Sequence, residues 1–124
     1  MATQIVLIAS GIIRILVGLN YLLATETAVL SFNLGDATLP SIHFAREMGA
    51  AILALGVINI LVVSDTGSPM LRAVFIGNIV AHAASLFGDL NQRVDGNSVL
   101  WLTVVTDTVF IVAFGYLLAS SLKR

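Results

Sequence analysis

In 124 residues the chain carries 58% hydrophobic and 10% charged side chains, with a mean hydropathy of +1.01, where a soluble domain has roughly 25% charged residues. A formal net charge of −1 offers no basic field for nucleic acid, and the absence of cysteine excludes disulfides, thiolate catalysis and thiolate metal sites. The solvent that fits this composition is a lipid bilayer, which is therefore the first partner expected.

Four apolar runs can be marked off, at residues 5–24, 42–63, 70–88 and 99–119, each close to the ~20 residues a helix needs to cross ~30 Å of hydrocarbon. In the first, Arg14 interrupts the apolar stretch and Met1-Ala-Thr-Gln supplies no basic leader, so a cleaved signal peptide is not expected. Ser10, Arg14, Gly18 and Tyr21 share one side of this helix, the two small residues allowing a neighbour close approach. Asn20 lies about 120° away from Arg14. Tyr21, near the end of the run, fits an interfacial anchor.

The connection over residues 25–41 is the longest and holds Glu26, Gly35, Asp36 and Pro40. Ala28, Val29, Leu30, Phe32 and Leu34 make its middle too apolar for a solvated loop, which predicts a short amphipathic piece lying along the interface or capping the helices. The second run opens with Ser41-Ile-His-Phe-Ala-Arg-Glu. At about 100° per residue, His43, Arg46, Glu47, Ala50 and Ala54 fall on one stripe, a charged patch at the margin of hydrocarbon that is expected to face a partner or a water-filled cavity.

Residues 64–69 read as a tight turn in which Pro69 suits the start of the third helix. On that helix Asn78, His82, Ser85 and Asp89 follow the spacing i, i+4, i+7, i+11 and present an amide, an imidazole, a hydroxyl and a carboxylate on one face. A polar turn with Asn91, Arg93, Asp95, Gly96 and Asn97 leads to Ser98 as N-cap of the fourth helix. There Thr103, Thr106 and Asp107 share a side, and Trp101 fits an interfacial anchor. The expected fold is all-α, a single domain over residues 1–124 forming an integral membrane four-helix bundle. A soluble bundle would show polar outer faces, and here Leu, Ile, Val and Phe appear all round each run.

Depth along the helices groups the polar residues. Counted at 1.5 Å per residue from the ends nearest the first and third connections, Glu47 lies about 8 Å in, His82 about 9 Å, Asp107 about 12 Å, and Arg14 and Asn78 about 15 Å. Charges tolerated by snorkelling would instead gather at the ends. Each residue also has a plain structural reading. Arg14 would pair with Asp107 or Glu47 to fix helix register; His82 would be a hydrogen-bonded core histidine. Arg46 would snorkel, Asp89 would be a solvated helix end, and the threonines would bond their own backbone. The loop charges, Arg72, Lys123 and Arg124 against Arg93 and Arg46, lean toward cytoplasmic termini.

Ile13-Arg-Ile-Leu-Val-Gly-Leu in the first helix, Arg46-Glu-Met-Gly-Ala-Ala-Ile-Leu-Ala-Leu-Gly at the second and His82 in the third resemble the DoxX-like group of small four-helix membrane proteins. The resemblance spans roughly three of the four helices. It implies a four-helix bundle with an Arg in helix one and a Glu in helix two, and members of the group are linked to quinone-related or thiosulfate oxidation complexes. The chain departs from that pattern in its extended connection over residues 25–41 and in having no basic residue soon after the Arg14 helix.

Three functional classes follow. In the first, the polar layer lines a site for a small lipid-soluble molecule such as a quinone or isoprenoid: His82, Glu47 and Asp107 carry acid–base roles, and Arg14, Asn78, Arg46 and His43 bind the substrate. No residue stands out as a nucleophile, no cofactor is indicated, and two histidines on different helices do not make a metal site. In the second class the chain is a non-catalytic accessory subunit, a homo-oligomer or part of a larger membrane complex. In the third it is a proton-coupled small transporter, although small multidrug exporters place their essential acid in the first helix, where this chain has Arg14.

Overall fold

The computed structural model describes residues 1–31, 37–65, 68–91 and 98–122. Helix α1 runs over Ala2–Leu23, α2 over Thr25–Ser31, α3 over Leu39–Leu61, α4 over Met70–Asn91 and α5 over Ser98–Ser121, with a 3-10 turn at Val62–Ser64 after α3. Among the described residues there is no strand, and the chain is all-α, as its four apolar runs require. Four of the helices are long and apolar enough to cross a membrane. At most 33% of each apolar window is buried inside the protein, so the greater part of each span offers hydrocarbon outward, as a multi-pass membrane protein does.

The helix ends are set by local chemistry. Helix α3 starts three residues before the expected 42, because Thr38-Leu-Pro-Ser forms a capping box. The Thr38 N–H donates to Ser41 Oγ at 2.9 Å, the Ser41 N–H donates to Thr38 Oγ1 at 3.5 Å, and Pro40 sits in the first turn, where its missing N–H costs nothing. Helix α4 begins where expected, with Ser68 Oγ accepting from the Met70 N–H at 3.2 Å. It continues past the expected 88 to Asn91, Gly88 notwithstanding. The short helix α2 is the amphipathic piece anticipated in the first connection. Phe32, Leu34, Gly35 and Asp36 of that connection lie outside the described residues, as do Arg93, Asp95, Gly96, Asn97, Lys123 and Arg124, on which the orientation argument largely rests.

The chain packs as two compact units, Leu7–Val63 and Met1–Val6 with Ser64–Arg124. In the first, α1 and α3 meet backbone to backbone. A Cβ added at Gly18 would come within 2.8 Å of the Gly49 carbonyl oxygen and 2.7 Å of the Leu53 nitrogen; one at Gly56 would come within 2.9 Å of both the Gly11 carbonyl oxygen and the Ile15 nitrogen. In hydrocarbon, where no water is released by bringing two apolar helices together, such close approach supplies the dispersion energy that holds them. The contact is fastened by Asn59 Nδ2, which donates to Ser10 Oγ at 3.2 Å with both side chains fully buried.

This glycine seam also sets the phase of α3. The buried face carries Ala45, Gly49, Gly56 and Asn59, which leaves His43, Arg46, Glu47, Ala50 and Ala54 on the exposed side. The stripe of α3 is therefore turned away from the glycine contact with α1. Tyr21 is likewise no interfacial anchor: it is buried, packing with Ala28, Val29 and Ala45 where α1, α2 and α3 converge. The expected shared side of α1 holds, with Ser10, Arg14, Gly18 and Tyr21 all buried.

The second unit is built on the pairing of α4 with α5. Leu71, Phe75, Asn78 and His82 form the buried line of α4, and Asp107, Phe110, Phe114 and Leu117 that of α5. Arg72 Nη2 donates to the carbonyl oxygen of Ser121 at 2.7 Å, placing a cation at the α5 C-terminus, where the helix dipole favours it.

Replacing Gly18 or Gly56 with Ala is expected to lower stability by about 1–3 kcal/mol each, because the backbone opposite cannot move aside as a side chain can. Gly77→Ala, where an added Cβ meets nothing within 4 Å, is the control and should leave stability unchanged or slightly raised. Thermal or denaturant unfolding in detergent, followed by helicity, measures all three.

Candidate functional site

The centre of the α4–α5 unit is a His–Asp pair. His82 Nδ1 lies 2.7 Å from Asp107 Oδ1, and both residues are buried, His82 at 5% and Asp107 at 7% exposure. With the carboxylate oxygen as acceptor, Nδ1 is the donating nitrogen, and in the neutral ring Nε2 is then an acceptor. Within the described residues, neither His82 Nε2 nor Asp107 Oδ2 meets a hydrogen-bond partner, although each is shielded from solvent. A buried polar atom left unbonded costs about 1–3 kcal/mol.

Aromatic rings hold the imidazole in place. The Phe110 ring stacks on His82 at 5.1 Å and 15°, Phe114 lies at 6.2 Å and 24°, and Phe75 meets Phe114 at 6.0 Å. Phe110 and Phe114 stand three and seven residues beyond Asp107, and Phe75 seven before His82, so carboxylate, imidazole and rings lie along one seam. The π faces also stabilise an imidazolium if Nε2 takes up a proton. Asn78, buried at 1% exposure one turn from His82, donates through Nδ2 to its own helix at the Val74 carbonyl, 2.9 Å away.

Other residues anticipated as part of the site are placed differently. Glu47 pairs with His43 on its own helix at 3.2 Å, with both side chains largely exposed. Its contact is thus with the imidazole one turn away on the same helix. Arg46 Nε donates to Thr25 Oγ1 at 3.3 Å at the junction of α2 and α3. Arg14 is buried at 8% exposure on α1. Ser85 is exposed, the buried line of α4 passing instead through Leu86, which is half-buried. Asp89 is not a bare solvated terminus: Thr103 Oγ1 donates to its Oδ2 at 2.6 Å, tying the far ends of α4 and α5. No group of three or more His, Asp or Glu side chains able to hold a metal ion occurs among the described residues.

The phenylalanine shelf was missed in the sequence because its residues were counted only as apolar. Their heptad-like offsets from His82 and Asp107 were the available signal. The Ser10–Asn59 bond was equally readable in part, since Asn59 is a lone amide in the apolar second half of the second run.

The site and fold define a class: a multi-pass, all-α membrane protein with a buried His–Asp pair between two spanning helices. No protein-family model, curated protein or solved structure matches the chain.

The pair makes distinguishable demands on position 107. Asp107→Asn retains an acceptor for Nδ1 and is expected to cost less than about 1 kcal/mol, whereas Asp107→Leu strands a buried N–H and should cost about 1–3 kcal/mol. Unfolding midpoints of the two variants in the same detergent make the comparison.

Proposed function

We propose that the protein binds a small lipid-soluble molecule bearing hydroxyl groups, of which a quinol is the representative chemistry, and that the His82–Asp107 pair is the group that recognises it. The observation that carries this reading is the pair of buried, unbonded polar atoms, His82 Nε2 and Asp107 Oδ2, which are both acceptors when the ring is neutral and the carboxylate ionised. Two acceptors in apolar surroundings select a ligand that donates. A hydroquinone or phenol donates; a quinone offers carbonyls only, and an isoprenoid hydrocarbon offers nothing. The resemblance to DoxX-like proteins, carried here by Arg14, Arg46, Glu47 and His82, is in keeping with a quinone-related role.

The same arrangement has acid–base capacity. Transfer of a ligand hydroxyl proton to Nε2 breaks the O–H bond, leaves the electron pair on the ligand oxygen and gives an imidazolium held between the Asp107 carboxylate and the Phe110 ring. Phe75, Phe110 and Phe114 supply walls suited to a flat ring. An accessory subunit whose polar residues only fasten helices has no use for two unbonded acceptors, since Asp107 bonded to His82 on one oxygen already fixes register.

Binding of a short-chain quinol to the purified protein in detergent tests the proposal. His82→Ala and Asp107→Leu are expected to weaken binding at least about tenfold, the worth of one hydrogen bond to a charged or strongly polarised group, with helical content retained. The corresponding quinone should bind more weakly than the quinol to the unsubstituted protein. Equal binding by all variants, or loss of stability in the variants with no quinol binding by the unsubstituted protein, would assign the pair to helix fastening.

A further inference from the structure

A second site lies wholly within Leu7–Val63, where the end of α1, the short helix α2 and the first turns of α3 border an open recess of about 270 Å³. Its walls carry opposite charges. Arg46 comes from α3 and Glu26 from α2, with Thr25 beside both, while Leu23, Ala24 and Ile42 supply apolar surface. Thr25 Oγ1 donates to the Tyr21 carbonyl at 2.7 Å and accepts from Arg46 Nε at 3.3 Å, so the guanidinium is held by its inner nitrogen. Among the described residues, Arg46 and Glu26 form no ion pair with each other or with any other group. Two opposite charges that line one recess without bridging across it suit a ligand that carries both signs.

The height of the recess narrows the choice. The Gly18–Gly49 contact puts Arg46, about one turn before Gly49, level with the last turn of α1. That helix is 22 residues long, ~33 Å, so its last turn reaches the edge of ~30 Å of hydrocarbon. At this depth the abundant zwitterion is a phospholipid headgroup. The guanidinium fork matches a phosphate diester. The Glu26 carboxylate accepts hydrogen bonds, which a primary ammonium donates and a quaternary one does not.

We propose that the Arg46–Glu26 recess binds the headgroup of an ethanolamine phospholipid, phosphate on Arg46 and ammonium on Glu26. The site is independent of the His82–Asp107 reading. It also gives α2 a role: the short helix brings Glu26 to the headgroup while Ala28 and Val29 anchor it on Tyr21 and Ala45.

Native mass spectrometry of the delipidated full-length protein, offered phosphatidylethanolamine, phosphatidylcholine or phosphatidylglycerol with identical acyl chains, tests this. Ethanolamine lipid is expected to be retained about tenfold better than the other two, one charge-assisted hydrogen bond converted to affinity. Arg46→Gln should abolish retention of all three, and Glu26→Gln should reduce ethanolamine lipid to the level of choline lipid. Glu26 is exposed, so Glu26→Gln leaves the fold intact and decides the matter even if Arg46→Gln unfolds. The proposal is overturned by equal retention of the three lipids, by an undiminished ethanolamine preference in Glu26→Gln, or by displacement of the lipid with millimolar inorganic phosphate, which would make the recess a site for a free anion.

Discussion

Inside hydrocarbon a polar side chain has no water to bond to, and this constraint shapes every polar contact in the spanning helices. Asn59 is bonded to Ser10 across the glycine seam, Thr25 closes onto the Tyr21 carbonyl, Asn78 returns to the Val74 carbonyl of its own helix, and Asp89 takes the Thr103 hydroxyl. Against that background the His82–Asp107 pair stands apart. It satisfies one nitrogen and one oxygen and leaves Nε2 and Oδ2 buried and unbonded among the described residues. An inward-facing ionisable pair of this kind is the usual mark of a ligand or proton site in a membrane protein.

The two packed units meet the association problem in different ways. Helices α1 and α3 place Gly11, Gly18, Gly49 and Gly56 where they cross, so their backbones approach too closely to admit a Cβ, and one buried hydrogen bond ties them together. Helices α4 and α5 interpose rings: Phe75, Phe110 and Phe114 pack between them and give the imidazole an apolar surface. The glycine seam suits a scaffold. The aromatic seam carries both members of the His82–Asp107 pair.

How far the sequence could be read follows the same division. Hydrophobic runs of spanning length announced the four long helices, and the apolar character of residues 28–34 announced a short piece between the first two. Phase arithmetic put His82 on a polar face with Asn78 and Asp107 on one with Thr103, and polar faces of spanning helices turn inward. It failed for Glu47, whose stripe is exposed, because the inward face of α3 is marked by Gly49 and Gly56, residues that carry almost no hydrophobic signal. A charged stripe bordering small residues was taken for an inward polar face, and the backbone contact that sets the phase was invisible to side-chain periodicity. The α3 start moved to Leu39 for a local reason, the Thr38–Ser41 capping box, which hydropathy does not register. Depth grouped Glu47 with His82 and Asp107, but depth without phase does not say that groups meet.

The claim at the centre of this account is that His82 offers an unprotonated Nε2 to a donating ligand. Nitrogen-15 NMR of histidine-labelled protein measures it directly. The account predicts a His82 spectrum with the proton on Nδ1 and a bare Nε2, and a shift of the Nε2 resonance toward the hydrogen-bonded position as a short-chain quinol is added. A His82 that carries its proton on Nε2, or whose Nε2 resonance is unmoved at saturating quinol, would contradict it.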